Sequence, residues 1–364
     1  MIDNHAHSIL RDYKNCGLVE FGRPFTESRD TAMLTKHLPH TLSYQSMIRQ
    51  LLSLARVDSL EQYLENRAER DTSEHLAWLF HHAGIEAMLI DDGFAFDCFD
   101  ISELAGLTSL KLWRVLRIEN ELAKVVLVSD TIEEAVRLLP QAIFNHDLPQ
   151  VVALKTVMAY RGGLQLEPVS LSQARIAYHP ARKDLKLGGR LGRSQAYHYL
   201  LAQILEMAAE RNLPVQIHCG LGDDDALLAD ANPLNFQSVL RSERFKNLKA
   251  VFLHCYPFVR EAAYLASMYS GVYFDLSLTN SLLAPALADI YFEALSAAPL
   301  TKILAGSDGH SQPESYWYGA SCLRRALHEA LLRLRKGAYL GTGQEEAIER
   351  AILRGNAHHL YQLG

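Results

Sequence analysis

Eight times along the chain, a short apolar run rich in β-branched residues ends in a polar residue and gives way to a helical pattern. The runs are Met1–His7, Glu86–Gly93, Leu112–Glu119, Val151–Tyr160, Pro214–Gly220, Leu248–Cys255, Val272–Ser277 and Lys302–Gly309. Strands that alternate with helices are joined by right-handed crossovers and lie parallel in one sheet. A parallel strand is covered on both faces, so it reads as a nearly continuous apolar run, as these do. Eight units predict an α/β architecture of the (β/α)8 type, a TIM barrel, which fills 250 residues or more as one domain. One domain over residues 1–364 is therefore expected. A doubly wound open sheet is the alternative that strand counting leaves open.

Two segments are too long for simple connections and make the expected barrel a distorted one. Residues from about Ser8 to Glu74 carry helical patterns at Ser43–Arg56 and Ser59–Arg70, which predicts a helical insertion after strand 1. Residues from about 165 to 193 are rich in Gly, Pro and basic side chains (Arg175, Arg182, Lys183, Lys186, Arg190, Arg193). Long connections without structure are uncommon and often functional, so this stretch is a candidate lid loop; its charges fit a solvated face equally well. Elsewhere, Asp130 and Glu133 suggest a capping box that opens a helix to Phe144. Ser194 precedes a helical run over Gln195–Arg211, and Pro257–Tyr269 reads as a helix that stops near Gly271.

Charge and cysteine usage narrow the partners. The chain carries 36 Lys plus Arg against 42 Asp plus Glu, a net charge of −6, so no basic footprint for nucleic acid or an anionic membrane is present. The five cysteines are Cys16, Cys98, Cys219, Cys255 and Cys322; an odd number at wide spacing with no CxxC pair reads as reduced thiols. The start MIDNHAHSIL places Asp3 and two histidines where a signal peptide needs a basic and then an apolar region, and no run is long enough to span a bilayer. A cytoplasmic protein that acts on a small molecule is expected. Homo-oligomerisation is left open.

In a barrel of this type the active site forms at the C-terminal ends of the strands, so the polar residues that end the runs are the candidates. The first run ends in His5-Ala6-His7, and alternation along a strand aims both imidazoles to one side. Later runs end in Lys155, His218, His254 and Asp308. Three histidines and a carboxylate that converge at one mouth suit a borderline cation such as Zn²⁺. Taken singly each is weak. An HxH pair arises by chance among 16 histidines, His218 alone could be a hydrogen-bonded core residue, and Asp308 sits in a turn-forming Ser-Asp-Gly. Cys219 and Cys255 follow two of the histidines, but alternation turns them away from the interior. The joint pattern carries the weight. Beyond strand four, Tyr160-Arg161-Gly162-Gly163 offers a guanidinium suited to two-pronged carboxylate binding and glycines that let a loop come close to a ligand. A surface ion pair is the plainer reading of Arg161.

These strand ends, written as IDNHAH, VQIHCG, VFLHCY and ILAGSDG with the closing GNAHHLYQL, resemble the amidohydrolase superfamily, in the branch that includes aminocarboxymuconate-semialdehyde decarboxylase. LKTVMAYRGGL and PESYWYGA are further similar to the amidohydrolase-like domain fused to glutamine synthetase in FluG-type proteins. The resemblance implies that His5, His7, His218 and Asp308 hold zinc. It implies that His254 positions or polarises the substrate's carbonyl, and that Asp308 takes the proton of metal-activated water. Lys155 would bridge two metals where it is carbamylated, as in some relatives, whereas others hold one. The expected activity is metal-dependent hydrolysis of an amide-type C–N bond in a small, carboxylate-bearing substrate held by Arg161 and Tyr160, with no organic cofactor. Decarboxylation or hydration on the same metal, and a non-catalytic interaction module, are the rival readings.

Overall fold

The computed structural model describes residues 1–93, 97–144, 151–192 and 194–364. Seven of the eight runs form strands: β1 (Ile2–Ala6), β2 (Ala87–Asp91), β3 (Lys111–Arg117), β4 (Val151–Thr156), β5 (Val215–Cys219), β6 (Ala250–His254) and β7 (Val272–Phe274). They pair in chain order, every neighbour parallel, in one curled sheet.

The eighth run does not become a ladder strand. Ile303 bridges Phe274, and Leu304 N donates to Phe274 O at 2.9 Å. On its other side Asn4 N reaches Ala305 O (2.8 Å), Asp308 N reaches His5 O (2.9 Å) and His7 N reaches Gly309 O (2.8 Å). Residues 303–309 thus close the ring between β7 and β1 through separate bonds. The cause lies in Gly306-Ser307-Asp308-Gly309: glycine and aspartate disfavour extended pairing, and Asp308 takes a left-handed φ of 53°. The result is a distorted TIM barrel with an irregular seam.

Alternation sorts the strand residues into two shells. Met88, Ile90, Leu116, Leu154, Ile217, Phe252 and Phe274 face the surrounding helices. Ile2, Leu89, Val115, Ala153, Val251, Leu253 and Leu304 face the barrel axis and form a second apolar cluster. Ala357, Leu360, Tyr361 and Leu363, from the C-terminal helix Asn356–Tyr361 and the residues after it, belong to the same cluster, so this helix plugs the lower end of the barrel. Two residues further along the strands the lining turns polar, with Asp91, Arg117 and Lys155.

The segment 8–74 contains helices at Leu42–Ala55 and Leu60–Glu69, capped by the side chains of Thr41 and Ser59. The stretch expected as a lid loop is largely helical instead, over Leu171–Lys186. Ser170 and Gln173 form a capping box there, and Pro180 lies inside the helix. Arg193 lies outside the described residues. The helix expected from Asp130 runs over Ile132–Phe144, and Thr131 rather than Asp130 supplies the cap, its hydroxyl taking the Glu134 N–H. Ser194 caps Gln195–Glu210, and Val259–Met268 forms as expected. Among the described residues, no helix is long and apolar enough to cross a membrane.

Candidate metal centre

A register shift in β1 between Asp3 and Ala6 sets the site. Strict alternation would admit either Ile2 and Asn4 or His5 and His7 to the interior; an extra residue of bulge lets one strand aim both sets inward. Asn4 then bonds to Asp275, while His5 and His7 converge on Asp308. His5 Nε2 lies 3.1 Å and His7 Nε2 3.5 Å from Asp308 Oδ1. One ligand atom from each of the three residues lies within 4.8 Å of the others.

The hydrogen bonds fix which nitrogens face inward. His7 Nδ1 lies 3.0 Å from the backbone carbonyl of Asp91, which can only accept, so the proton sits on Nδ1. Gln216 Nε2 donates to Asn4 O at 2.8 Å, which turns its Oε1 to His5 Nδ1 at 3.0 Å, so His5 carries its proton there as well. Both Nε2 lone pairs therefore meet the carboxylate of Asp308, acceptor against acceptor. Asp308 Oδ1 is buried without a hydrogen-bond donor in line with it. A buried acceptor without a partner is costly, and a divalent cation at this point would remove that cost for Asp308 Oδ1 while taking both imidazole lone pairs. The residues fit a metal ion.

Lys155 also reaches this point, with Nζ 3.1 Å from His5 Nε2. Burial pulls its pKa down to about 8, against the pull of Asp91 and Asp308. His5 is drawn down to about 4 by burial and then by Lys155, so its imidazole is neutral at pH 7, as a ligand must be. Burial holds His218 and His254 well below the ordinary histidine range too.

His254 enters by a different device. Leu253 already points to the axis, so alternation would turn the next residue out; left-handed φ values of 69° at His254 and 57° at Cys255 bring the imidazole back in. Its Nδ1 is 3.8 Å from Asp308 Oδ2 and 2.9 Å from Ser277 Oγ, which itself donates to Asp275 Oδ1 at 2.7 Å. Its Nε2 is 3.1 Å from His218 Nδ1. His218 is thus one step removed from the three-atom cluster. Its Nε2 lies 2.8 Å from the Tyr160 hydroxyl, which also accepts the Asp223 N–H at 3.2 Å. A Cβ on Gly222 would stand 2.5 Å from His218 Nε2, so glycine there lets the loop after β5 lie directly over the imidazole.

Arg161 ends the turn Met158–Arg161, partly exposed. Among the described residues it donates to the Tyr160 carbonyl at 3.5 Å and pairs with no carboxylate. Cys219 and Cys255 are buried as expected, with their sulfurs 3.6 Å apart.

The same reasoning about strand ends should have named two further residues. Asp91 ends β2 and Arg117 ends β3, and their side chains pair at 2.6 Å beside His7. Burial works to raise the Asp91 carboxyl, and Arg117, His7 and Lys155 together overcome it, so Asp91 stays ionised. Glu27, from the insertion, had no such signal. Burial, and then the charges of Asp308 and Asp223, push its carboxyl up to about 8. Arg29 nearby binds Asp223 (3.3 Å) and Asp224 (3.5 Å), which ties the insertion to the loop over His218, and Arg190, beyond the helix Leu171–Lys186, binds Asp225 (3.0 Å) in the same loop.

The chain is similar to proteins already known. Residues 167–363 match the family model described as Amidohydrolase. The whole chain aligns at 29% identity with Protein fluG of Emericella nidulans, over 46% of that protein, so it spans about half the length of this curated relative. A Lactobacillus casei protein of known structure, assigned as a metal-dependent hydrolase, is 27% identical with a TM-score of 0.87, over 100% of this chain and 95% of its own. Uronate isomerase of Thermotoga maritima, at 12% identity and a TM-score of 0.63 over 90% of this chain and 79% of its own, shares the fold alone.

Proposed function

Because the chain belongs to the amidohydrolase family, we propose that it is a zinc-dependent hydrolase that cleaves an amide-type C–N bond in a small, carboxylate-bearing substrate. One observation carries the reading: His5, His7 and Asp308 bring one ligand atom each to a single point at the C-terminal end of the barrel, where Asp308 Oδ1 is buried without a hydrogen-bond donor. His5, His7 and Asp308 would hold the ion, with His218 as a fourth ligand. When bound, a divalent ion supplies Lewis acidity, which polarises a carbonyl and makes water a stronger acid.

The protein's own groups do the rest. Asp308 is the base: its Oδ2 takes the proton of the attacking water and passes it to the departing nitrogen. His218 can serve the ion only by giving up a ring contact with Tyr160 or His254. Releasing His254 Nε2 would turn that nitrogen to the substrate. No serine or cysteine nucleophile is needed. Arg161, free of carboxylate partners among the described residues, is the group available to bind a substrate carboxylate through two parallel bonds. With Lys155 Nζ 3.1 Å from His5 Nε2, where an ammonium can donate to the imidazole, the reading proposed is one ion per chain and not two bridged by a carbamylated Lys155.

The test is elemental analysis of the purified protein together with turnover of a library of N-acyl amino acids and amino-acid amides. Zinc at about one per chain with amide cleavage supports the reading. Release of CO₂ in place of an amine transfers the site to decarboxylation, and a full library without turnover favours an interaction module.

A further inference from the structure

The closing motif Gly355-Asn356-Ala357-His358-His359-Leu360-Tyr361 has no part in the chemistry above, yet it ends on a buried hydroxyl directly beneath it. Tyr361 sits in the apolar plug of the barrel, and its OH donates to Asn4 Oδ1. The same oxygen accepts from Gln216 Nε2 at 3.1 Å. From this hydroxyl two branches rise to the site. Through Gln216, whose Oε1 meets Nδ1 of His5, the first fixes the proton of His5 on the side away from Asp308. The second passes through Asn4, whose Nδ2 donates to Asp275 Oδ2 at 2.6 Å. Asp275 Oδ1 in turn takes the backbone N–H of His254 at 2.9 Å and the hydroxyl of Ser277 at 2.7 Å, and Ser277 Oγ meets His254 Nδ1 at 2.9 Å. Every member of both branches is buried.

We infer that Tyr361 is a positioning residue: its hydroxyl locks the amides of Asn4 and Gln216, and through them sets which nitrogen of His5 faces the pocket and steadies the Asp275 carboxylate that holds the His254 backbone. The argument is one of complementarity. An amide side chain presents an oxygen or an NH₂ to a neighbour depending on a 180° flip, and only its other bonds decide which. Gln216 Nε2 has two acceptors, Asn4 O and Tyr361 OH, and both hold Oε1 towards His5. With the amide reversed, NH₂ would face His5 Nδ1, the imidazole proton would move to Nε2, and an N–H would point at Asp308 where a lone pair is required. Outer partners of this kind orient the imidazoles that bind metals. The apolar neighbours Ala357, Leu360 and Leu363 fill the barrel floor; Tyr361 alone of the four carries a polar group into it.

The inference rests on reading His5 as a ligand, so the experiment separates the two. ¹⁵N-imidazole NMR of the full chain, metal-free and zinc-loaded, reads the tautomer directly, and chelator competition with Zn²⁺ reads affinity. Tyr361→Phe keeps the ring and removes the hydroxyl; Leu360→Ala loosens the same plug and leaves the hydroxyl in place. In wild type, metal-free His5 is expected as the Nδ1–H form. Tyr361→Phe should mix the two tautomers and weaken Zn²⁺ about tenfold, the lower end of what losing such a partner costs. Leu360→Ala should lower Tm without changing the tautomer. If Tyr361→Phe fails to fold, Gln216→Leu, which removes the acceptor, must give the same mixed tautomer. Unchanged His5 signals in Tyr361→Phe, or an equal shift in Leu360→Ala, overturn the inference. Wild type that binds no Zn²⁺ overturns the function proposed above and leaves the tautomer result to decide this one.

Discussion

The proposed chemistry sets two tasks on the Asp308 carboxylate, whose Oδ1 faces His5 and His7 while Oδ2 faces His254. Asp308→Asn separates them. An amide oxygen can keep a contact with the ion, but it cannot take a proton, so kcat is expected to fall about 10²-fold or more while elemental analysis still finds metal. A variant near normal kcat would pass the proton to His254. His5→Ala, by contrast, should lose the metal and the activity together. Arg161 reports on the substrate. A guanidinium that binds a carboxylate equally in ground and transition states affects KM and leaves kcat nearly unchanged. Arg161→Ala should therefore raise KM, and Arg161→Lys should recover only part of the loss, because an ammonium lacks the planar fork. Steady-state kinetics on matched acid and amide substrates decide it, and an intact preference for the acid in Arg161→Ala excludes the anchor. Reading the ends of the runs singles out His5, His7, Lys155, His218, His254 and Asp308; the structure brings His5, His7 and Asp308 to one point and leaves His218 one step removed. That reading has no means of finding how His254 turns inward, since that depends on two left-handed residues and not on the pattern of side chains.

At the level of elements, the insertion is fastened to the seam by a buried cluster. Arg67, in the helix Leu60–Glu69, meets Glu314 at 3.1 Å and Gln312 at 2.9 Å, at the start of the long helix Pro313–Lys336 that follows the Asp308 turn. Tyr63 donates to Glu314 at 2.7 Å, and His75 is held between the hydroxyls of Tyr13 (3.0 Å) and Tyr63 (3.1 Å). Removing one partner of such a pair strands the other charge, so Arg67→Ala should cost about 3–5 kcal/mol in urea unfolding. A loss below about 1 kcal/mol would mean that the pair is solvated in solution. The cluster also gives a pH dependence. Burial draws His75 down from 6.5 to about 4, so between those values the unfolded chain binds a proton that the folded one refuses. Stability present above pH 6.5 is then lost as the pH falls towards 4. Other buried imidazoles add to the wild-type slope, so the measurement is the difference between wild type and His75→Gln; identical slopes would exclude His75. None of this was legible in the sequence, where Arg67 and His75 look like helix-surface residues and their partner lies more than 230 positions away. The helix Leu171–Lys186 was hidden for the opposite reason: Pro180 and its many basic residues read as loop, although Ser170 and Gln173 announce a cap.

Over the whole molecule, ladder pairing runs from β1 through β7 and gives way to separate bonds between β7 and β1, and that is where the candidate metal centre lies. His5 and His7 come from one side of the seam, and Asp308 comes from the other. The eighth run looked like a strand because its start, Ile303-Leu304-Ala305, is apolar, and Ile303 does bridge Phe274; the turn that follows exchanges ladder pairing for an aspartate aimed at the axis. An ion across that gap would add a link between two edges already joined by backbone bonds and by the Asp3 carboxylate, which takes the N–H and the hydroxyl of Ser307. Binding to the folded state alone stabilises it by about 4 kcal/mol at a free concentration a thousand times Kd, so chelation should lower Tm. Where protection is lost is more telling. With the ion removed, the amides of Asn4, His7 and Asp308, which cross the seam, should exchange faster with deuterium than in the loaded protein. The β5–β6 ladder, Val215 to Cys219 against Ala250 to His254, lies away from the seam and should change much less. Hydrogen exchange with and without chelator distinguishes the cases. Loss confined to the seam supports an ion that closes the barrel; an equal loss in both places would mean that it stabilises the fold only globally; and no change at the seam would place the ion elsewhere than between His5, His7 and Asp308.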